Sequence, residues 1–357
     1  MSVYINSIGN ISPQYSFNNA VFLEEITNHV GNSLTCAEPN YRDYIPAANL
    51  RRMSRVIKMG VTAAKICLDE AQVSDPDAII VGTGLGCMED TDKFLTSIYE
   101  SEEEIISPTQ FIQSTHNTVA SQIAIMLGCT NYNFTYVHRG FSFESALFDA
   151  LMQFEENSSI QNILVGGIDE TTPNYLAITG RLRQWKPDEY AQLSLLANHL
   201  RGSLPGEGAA FFMLGNRPTT QSYARLQAAD MLYKPADEAE ITRFIRQFLA
   251  AQDLDISDVD LVLLGLNGNP DLDMAYYRVR DMLFKHNNLG YFKHLCGEYK
   301  TAGSFGMWLA AQILRKQHIP DVVKLRPFEL NRINNVLIYN NYSNINHSFL
   351  LLKNAQF

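Results

Sequence analysis

The sequence predicts an α/β protein made of two copies of one unit, and three observations carry that expectation. Short apolar runs ending in glycine, Ala78-Ile79-Ile80-Val81-Gly82 and Asn162-Ile163-Leu164-Val165-Gly166-Gly167, have the length of buried strands. They alternate with segments whose apolar residues recur at helical spacing. The order helix, strand, turn, helix over residues 53–99 recurs over 238–283, which two copies of one unit explain economically. The 357 residues, 46% of them hydrophobic, suffice for a large core and suggest two fused halves, 1–215 and 216–357.

Val3 to Ile8 reads as the first strand. Tyr41 to Ala48 is a polar loop, and Met53 to Ala71 is a helix with apolar residues at Val56, Ile57, Val61, Ala64, Ile66, Cys67 and Leu68. The strand Ala78 to Val81 breaks into Gly82-Thr83-Gly84-Leu85-Gly86. This lacks the third glycine of the dinucleotide-binding spacing, and no acidic residue follows on a second strand, so a close-packed strand-to-helix turn is expected. Glu89 to Glu104 is an acidic helix with Glu102-Glu103-Glu104 at a solvated end.

Residues 107–170 form the stretch that the rest serves. A helix-like segment ending in Ile123-Ala124-Ile125-Met126-Leu127-Gly128 leads to a strand and the turn Tyr136-Val137-His138-Arg139-Gly140-Phe141-Ser142-Phe143-Glu144. A buried helix through Ser145 to Leu151 and the strand at 162–167 follow. Such a turn delivers its residues to a helix N-terminus, where free N–H groups favour negative charge. That is a place for a nucleophile or an oxyanion site, yet the residues there are glycine and aromatics.

Thr179-Gly180-Arg181-Leu182 reads as a turn, and no clear period follows as far as Ser203. Leu204-Pro205-Gly206-Glu207-Gly208 turns into a buried strand ending at Gly215, and Arg217 to Lys234 reads as the crossing between halves. The second half then runs through helix Glu238 to Ala251, strand Val259 to Gly265, turn Leu266-Asn267-Gly268-Asn269 and helix Asp273 to Leu283. Strand Phe292 to Leu295, helix Phe305 to Leu314, strand Val336 to Tyr339, polar turn Asn340 to Asn346 and strand Ser348 to Leu352 complete it.

A formal net charge of -10 argues against nucleic acid as a partner. It would also repel an acidic carrier protein, unless a patch such as Arg51-Arg52 with Arg55 and Lys58 supplies docking charge. No apolar run is long enough to cross a bilayer, and Met1 to Asn6 lacks the pattern of a secretion signal, so a cytoplasmic protein is expected. Five scattered cysteines without CxxC pairs fit reduced, buried thiols.

Two other chemistries can be read from the residues. Gly140-Phe141-Ser142-Phe143-Glu144 begins like a nucleophile elbow, with Ser142 as nucleophile and His138 as base for an acyltransferase or hydrolase. Glu144 stands where that turn requires glycine. His294, Cys296 and Glu298 alternate and would share one face of a strand as three metal ligands, with no fourth in view. Neither a metal nor a cofactor is expected.

The order of motifs resembles the β-ketoacyl synthases of the thiolase superfamily over essentially the whole chain. The pieces are the helix Arg52 to Ala71, Val81-Gly82-Thr83-Gly84, Ser107-Pro108 with Asn117 and Ala120, Ile125-Met126-Leu127-Gly128, Leu164-Val165-Gly166-Gly167, Gly206-Glu207-Gly208-Ala209, Lys293, and Asn346 before the last strand. The resemblance implies a thiolase-like duplicated βαβαβ fold in five alternating layers, αβαβα, and a dimer built across the first half. Active members carry a cysteine nucleophile at the start of the central helix and two histidines that stabilise the oxyanion during decarboxylation and condensation. Counted along the motifs, the nucleophile position falls on Gly140 and the histidine positions on Asn267 and Glu298. Met307 matches the glutamate that usually pairs with the lysine, and Tyr342-Ser343-Asn344-Ile345-Asn346 matches the aromatic gatekeeper turn, with Tyr342 at the gatekeeper position.

Glycine has no side chain to form a thioester, and an ionised Glu298 opposes an oxyanion. In this family such departures look like the chain-length factor, or ketosynthase β subunit, of type II systems, and are similar to the partner subunits of aryl polyene or flexirubin-type pathways. The implied partners are an active ketosynthase subunit and, through the complex, an acyl carrier protein. By position Gln110, Phe111 and Thr115 reach the dimer interface and the end of the partner's acyl tunnel, and Arg139, Phe141 and Phe143 fill the emptied pocket.

Overall fold

The computed structural model describes residues 2–101, 108–186, 190–197 and 200–355. In the first half, strands β1 (Val3–Ile11), β2 (Ala78–Gly82), β3 (Tyr132–Tyr136), β4 (Asn162–Asp169) and β5 (Gly208–Gly215) alternate with helices. These are α1 (Arg55–Ala71), α2 (Met88–Glu100), α3 (Pro108–Gln113), α4 (Thr118–Leu127), α5 (Ser142–Glu156) and α6 (Pro173–Arg181). The second half contributes β6 (Ala224–Tyr233), β7 (Leu261–Leu264), β8 (Asn288–Tyr291), β9 (Asn335–Tyr342) and β10 (Asn346–Lys353), with α7 (Glu238–Ala250), α8 (Pro270–Met282) and α9 (Ala302–Lys316).

The strands hydrogen-bond in the order β8-β7-β9-β10-β6-β1-β5-β4-β2-β3. Within each half the spatial order is therefore the same: third, second, fourth, fifth, first. The directions match too. β2 runs parallel to β3 and β4, as β7 does to β8 and β9, and the remaining pairs are antiparallel. The halves meet where Val3, Tyr4 and Ile5 pair antiparallel with Leu226, Arg225 and Ala224. This repetition is the duplicated unit the sequence predicts.

Period-two alternation sorts the strand side chains into layers. Ala78 and Ile80 face a central core shared with Phe143, Ala146, Leu147, Ala150 and Phe154 of α5, the buried residues of α9, and Leu261 and Leu263 of the other half. Ile79 and Val81 face the outer cluster beneath α1 and α4. Val262 and Leu264 face the corresponding cluster beneath α7 and α8. The result is α, β, α, β, α, with α5 and α9 buried between the two halves of the sheet.

Asp169 ties the layers together. Its carboxylate, fully buried at the end of β4, accepts from the backbone N–H groups of Gly84 and Leu85 at 2.8 and 3.1 Å and from Thr301 N and Oγ1, both at 2.9 Å. The glycine turn after β2 thus gives its free amides to a carboxylate of the same chain, as the close-packed reading of that turn requires.

Several element boundaries differ from expectation. Thr179 to Arg181 is the last turn of helix α6, because Thr172 caps its start through Tyr175 N and Pro173 fits its first turn. Most of Arg217 to Lys234 is the ten-residue strand β6, whose partly buried face hides the alternation. The strand expected at Phe292 to Leu295 lies earlier, at β8, and Lys293–Cys296 is a short helical turn closed by Gly297 at φ 78°. Asn340 to Tyr342 and Asn346 extend strands β9 and β10, and only three residues turn between them. Tyr41–Asp43 and Ala47–Leu50 are short helical turns inside the expected loop. Glu102, Glu103, Glu104 and Ser107 lie outside the described residues.

The two ends of the sheet are finished differently. At one end β3, among the described residues, pairs on one side only and presents Tyr132 and Phe134, 41% and 46% exposed, with rings stacked 6.2 Å apart. At the other end β8 is covered: Gly290 bridges to Lys324, and Leu325 N donates to Leu289 O at 2.9 Å.

Candidate functional site

Four segments converge where α5 begins. Gly140 lies in the helical turn Arg139–Phe141 that leads into α5, with Arg139 held at φ 50°. The end of β9 with Tyr342 packs on it, Tyr342 shares a cleft with Glu298 of the turn Lys293 to Glu298, and the turn after β7 reaches that glutamate through Asn267. Among the described residues a cleft of about 220 Å³ opens here, lined by Trp185, Asn269, Glu298 and Tyr342 among others.

Gly140 is buried, and the space beside it is taken. A Cβ built on Gly140 would lie 2.5 Å from Tyr342 Cβ, 3.0 Å from Tyr342 Cγ and 3.2 Å from Asn346 Cβ. Residue 140 therefore has neither a nucleophilic atom nor room for one. The residues expected to fill the pocket do other things. Phe143 belongs to the central core, its ring 5.8 Å from that of Phe212. Phe141 is buried against the ring of His138, and Arg139 is exposed. Tyr342, expected as a gatekeeper, is the side chain that closes on Gly140.

Asn267 and Glu298, far apart in sequence, are bonded to each other. Asn267 Nδ2 donates to Glu298 Oε2 at 2.7 Å, and Lys293 Nζ donates to both carboxylate oxygens at 3.0 and 2.9 Å and to Asn341 O at 3.2 Å. Lys293 and Glu298 are 1% and 6% exposed. Asn267 is fixed on its other side too: its Oδ1 accepts from Asn269 N, and its N–H donates to Asp273, a carboxylate pushed up to about 6 by burial. One N–H of the Asn267 amide and the Lys293 ammonium are thus already engaged by groups of the same chain. A buried ion pair of this kind gains stability only when such further hydrogen bonds complete it. Met307 is buried in the core and plays no part in the pair.

The serine chemistry finds no support. Ser142 is fully buried, its Oγ accepts from His138 N at 2.8 Å and donates to Arg139 O at 2.8 Å, and the His138 side chain is exposed. The hydroxyl completes the helix entry through backbone groups alone. The metal reading fails for a topological reason: Lys293–Cys296 is helical, so His294, Cys296 and Glu298 do not share a strand face. The His294 ring lies 3.9 Å from that of Tyr291, Cys296 Sγ meets Gly297 O, and no group of metal-binding side chains occurs among the described residues.

The interface candidates divide. Phe111 is 57% exposed and its ring lies 5.5 Å from that of Phe94 on α2. Gln110 beside it is half-buried, whereas Thr115 bonds Ile112 O and Thr118 Oγ1 within its own turn. Of the basic patch, Arg55 is consumed internally by Glu38 and by the fully buried Glu207, leaving Arg51 and Arg52 exposed. Sequence reasoning missed Lys300, whose Nζ lies 4.9 Å from the Tyr175 ring centre and 5.6 Å from that of Tyr342. No periodicity marks it; the signal is Gly84, across whose α-carbon its stem passes.

Residues 30–197 match the family model of the beta-ketoacyl synthase N-terminal domain. No curated protein matches the chain in sequence. Among solved structures, the ishigamide ketosynthase/chain length factor superposes with a TM-score of 0.81 at 16% identity, covering 99% of each chain. A ketosynthase (ApeO) in complex with its chain length factor (ApeC) from Xenorhabdus doucetiae gives 0.77 at 16% identity, over 99% of this chain and 98% of that one. A type II polyketide acyl-carrier protein in complex with its ketosynthase, AntDE:AntF, gives 0.78 at 14% identity, over 99% of both chains. No described helix is long and apolar enough to cross a membrane.

Proposed function

Because the chain has the β-ketoacyl synthase fold over its whole length, with the family's N-terminal domain recognisable in residues 30–197, we propose that it is a catalytically silent chain-length factor. In this reading it pairs with an active ketosynthase and shapes the acyl or polyene tunnel of a type II pathway. One correspondence carries the reading: the three positions that, counted along the motifs, match the catalytic groups of active members are all occupied by residues unable to serve in that role. Gly140 is empty and occluded, and Asn267 and Glu298 are spent on each other and on Lys293. At residue 140 a covalent acyl-enzyme has no side-chain atom to form on.

The partner face is the first half's free edge, β3 with Phe134, beside exposed Val137, Ile125 and Met152. An apolar edge of this kind is a template for a second chain. The acyl carrier protein reaches the complex through the ketosynthase. Co-expression with the ketosynthase encoded nearest to this chain should yield a 1:1 complex by size-exclusion with light scattering. A chain that condenses malonyl groups alone would overturn the reading. Phe111→Ala or Gln110→Ala should lengthen the product of the complex without loosening it, as read by mass spectrometry. Unchanged length would place the control in the partner.

A further inference from the structure

The geometry points to a built-in latch: Tyr342, held by Lys300, occupies the room a side chain at residue 140 would need and closes the pocket to acyl groups. The inference deepens the silent-subunit reading and rests on it. Its parts are four residues from four segments. Gly140 lacks a side chain, and Tyr342 Cβ lies 2.5 Å from where its Cβ would be. The Lys300 ammonium lies 5.6 Å from the Tyr342 ring centre, within reach of a cation–π attraction. Lys300 is itself anchored, because its Nζ donates to Tyr175 Oη at 2.9 Å and lies 4.9 Å from that ring's centre. The fourth part is Gly84, where a Cβ would collide with the Lys300 stem, its Cγ at 2.8 Å.

Two glycines thus serve one device. Gly84 lets the lysine pass between β2's turn and α6, and Gly140 lets the tyrosine close. The hairpin that carries Tyr342 is pinned from behind by Asn341, whose N–H donates to Tyr276 Oη at 2.6 Å and whose carbonyl accepts from Lys293. The tight turn beyond it holds Ser343 and Asn344 at φ 59° and 53°. A tyrosine clamped on both sides is a wall and no longer a gate. Restoring a cysteine at residue 140 would not restore an acylation site.

The test compares Gly140→Cys with the double variant Gly140→Cys/Tyr342→Gly; glycine is needed because an alanine would keep the clashing Cβ. Alkylation of the introduced thiol by iodoacetamide is followed by peptide mass spectrometry, against five native cysteines that are all buried. The introduced thiol should react at least about 10-fold faster in the double variant than in the single one, as its exposure dictates. Equal rates in two folded variants would overturn the latch. If the single variant fails to fold, the clash predicts that the double variant recovers, and failure to recover also counts against it. In a chain keeping Gly140, Lys300→Met should speed amide exchange over residues 342–346 by about 5-fold or more; unchanged exchange would show that Lys300 holds nothing. None of these readouts uses the ketosynthase, so a failed latch leaves pairing untouched, and failed pairing leaves the latch untouched.

Discussion

At the scale of single residues, the site was half legible in the sequence. The proposed empty nucleophile position at Gly140 and the proposed replacements at Asn267 and Glu298 follow from counting along motifs. That these two bond each other does not, because their contact depends on how two turns 31 positions apart in sequence meet. Tyr342 was legible as a position, but its role depends on a missing Cβ on a distant segment. Glu144, in the first turn of α5, was legible only as a misfit in a nucleophile motif. Its carboxyl is fully enclosed, one oxygen has no partner, and burial pushes it from 4.5 up to about 7. Below about 4.5 folded and unfolded chains both hold the proton and the group is neutral to stability. Between there and about 7 only the unfolded chain releases it, so stability falls as pH rises, by up to about 3 kcal/mol once pH exceeds 7. Glu144→Gln should flatten urea-unfolding free energy across that window and exceed the native chain at pH 8. Glu170, raised to about 8 by burial, leaves a residual slope of the same sign.

At the scale of elements, long periodic helices and short apolar strands came through: α1, α5, α9, β2 and β4 lie close to where their patterns place them. The failures share a cause. β6 has one half-buried face, so its alternation is diluted, and β8 is four residues whose burial comes from the neighbouring β7. The helical turn at Lys293–Cys296 is only four residues long, too short to show a helical period, and Phe292 and Leu295 beside its polar residues imitate a strand. In the proposed pairing, β3 carries the association surface. Phe134→Lys should leave the circular dichroism spectrum and melting temperature nearly unchanged while abolishing co-purification with the ketosynthase. The half-exposed ring supports little of the chain's own core, and a charge there is desolvated on pairing. Retained co-purification would move the interface elsewhere.

At the scale of the molecule, duplication was legible as a repeated element order, and the five layers follow from strand alternation in both halves of the sheet. The bond between halves was not legible, since Asp169 gives no sign in sequence that its carboxylate reaches Gly84, Leu85 and Thr301. We propose 1–215 and 216–357 as the two halves, sharing one core and therefore unfolding together. Asp169→Ala orphans several buried donors and should cost about 3 kcal/mol or more in a single denaturation transition. Two separated transitions would show that the halves are held by less than this. The unlike ends of the sheet set how far assembly can go. A chain with two open edges would add copies head to tail without limit, as fibres do; here the Lys324 bridge and the Leu325 bond cap one edge. Among the described residues the ten-stranded sheet keeps one open edge, and assembly through that edge ends at a pair.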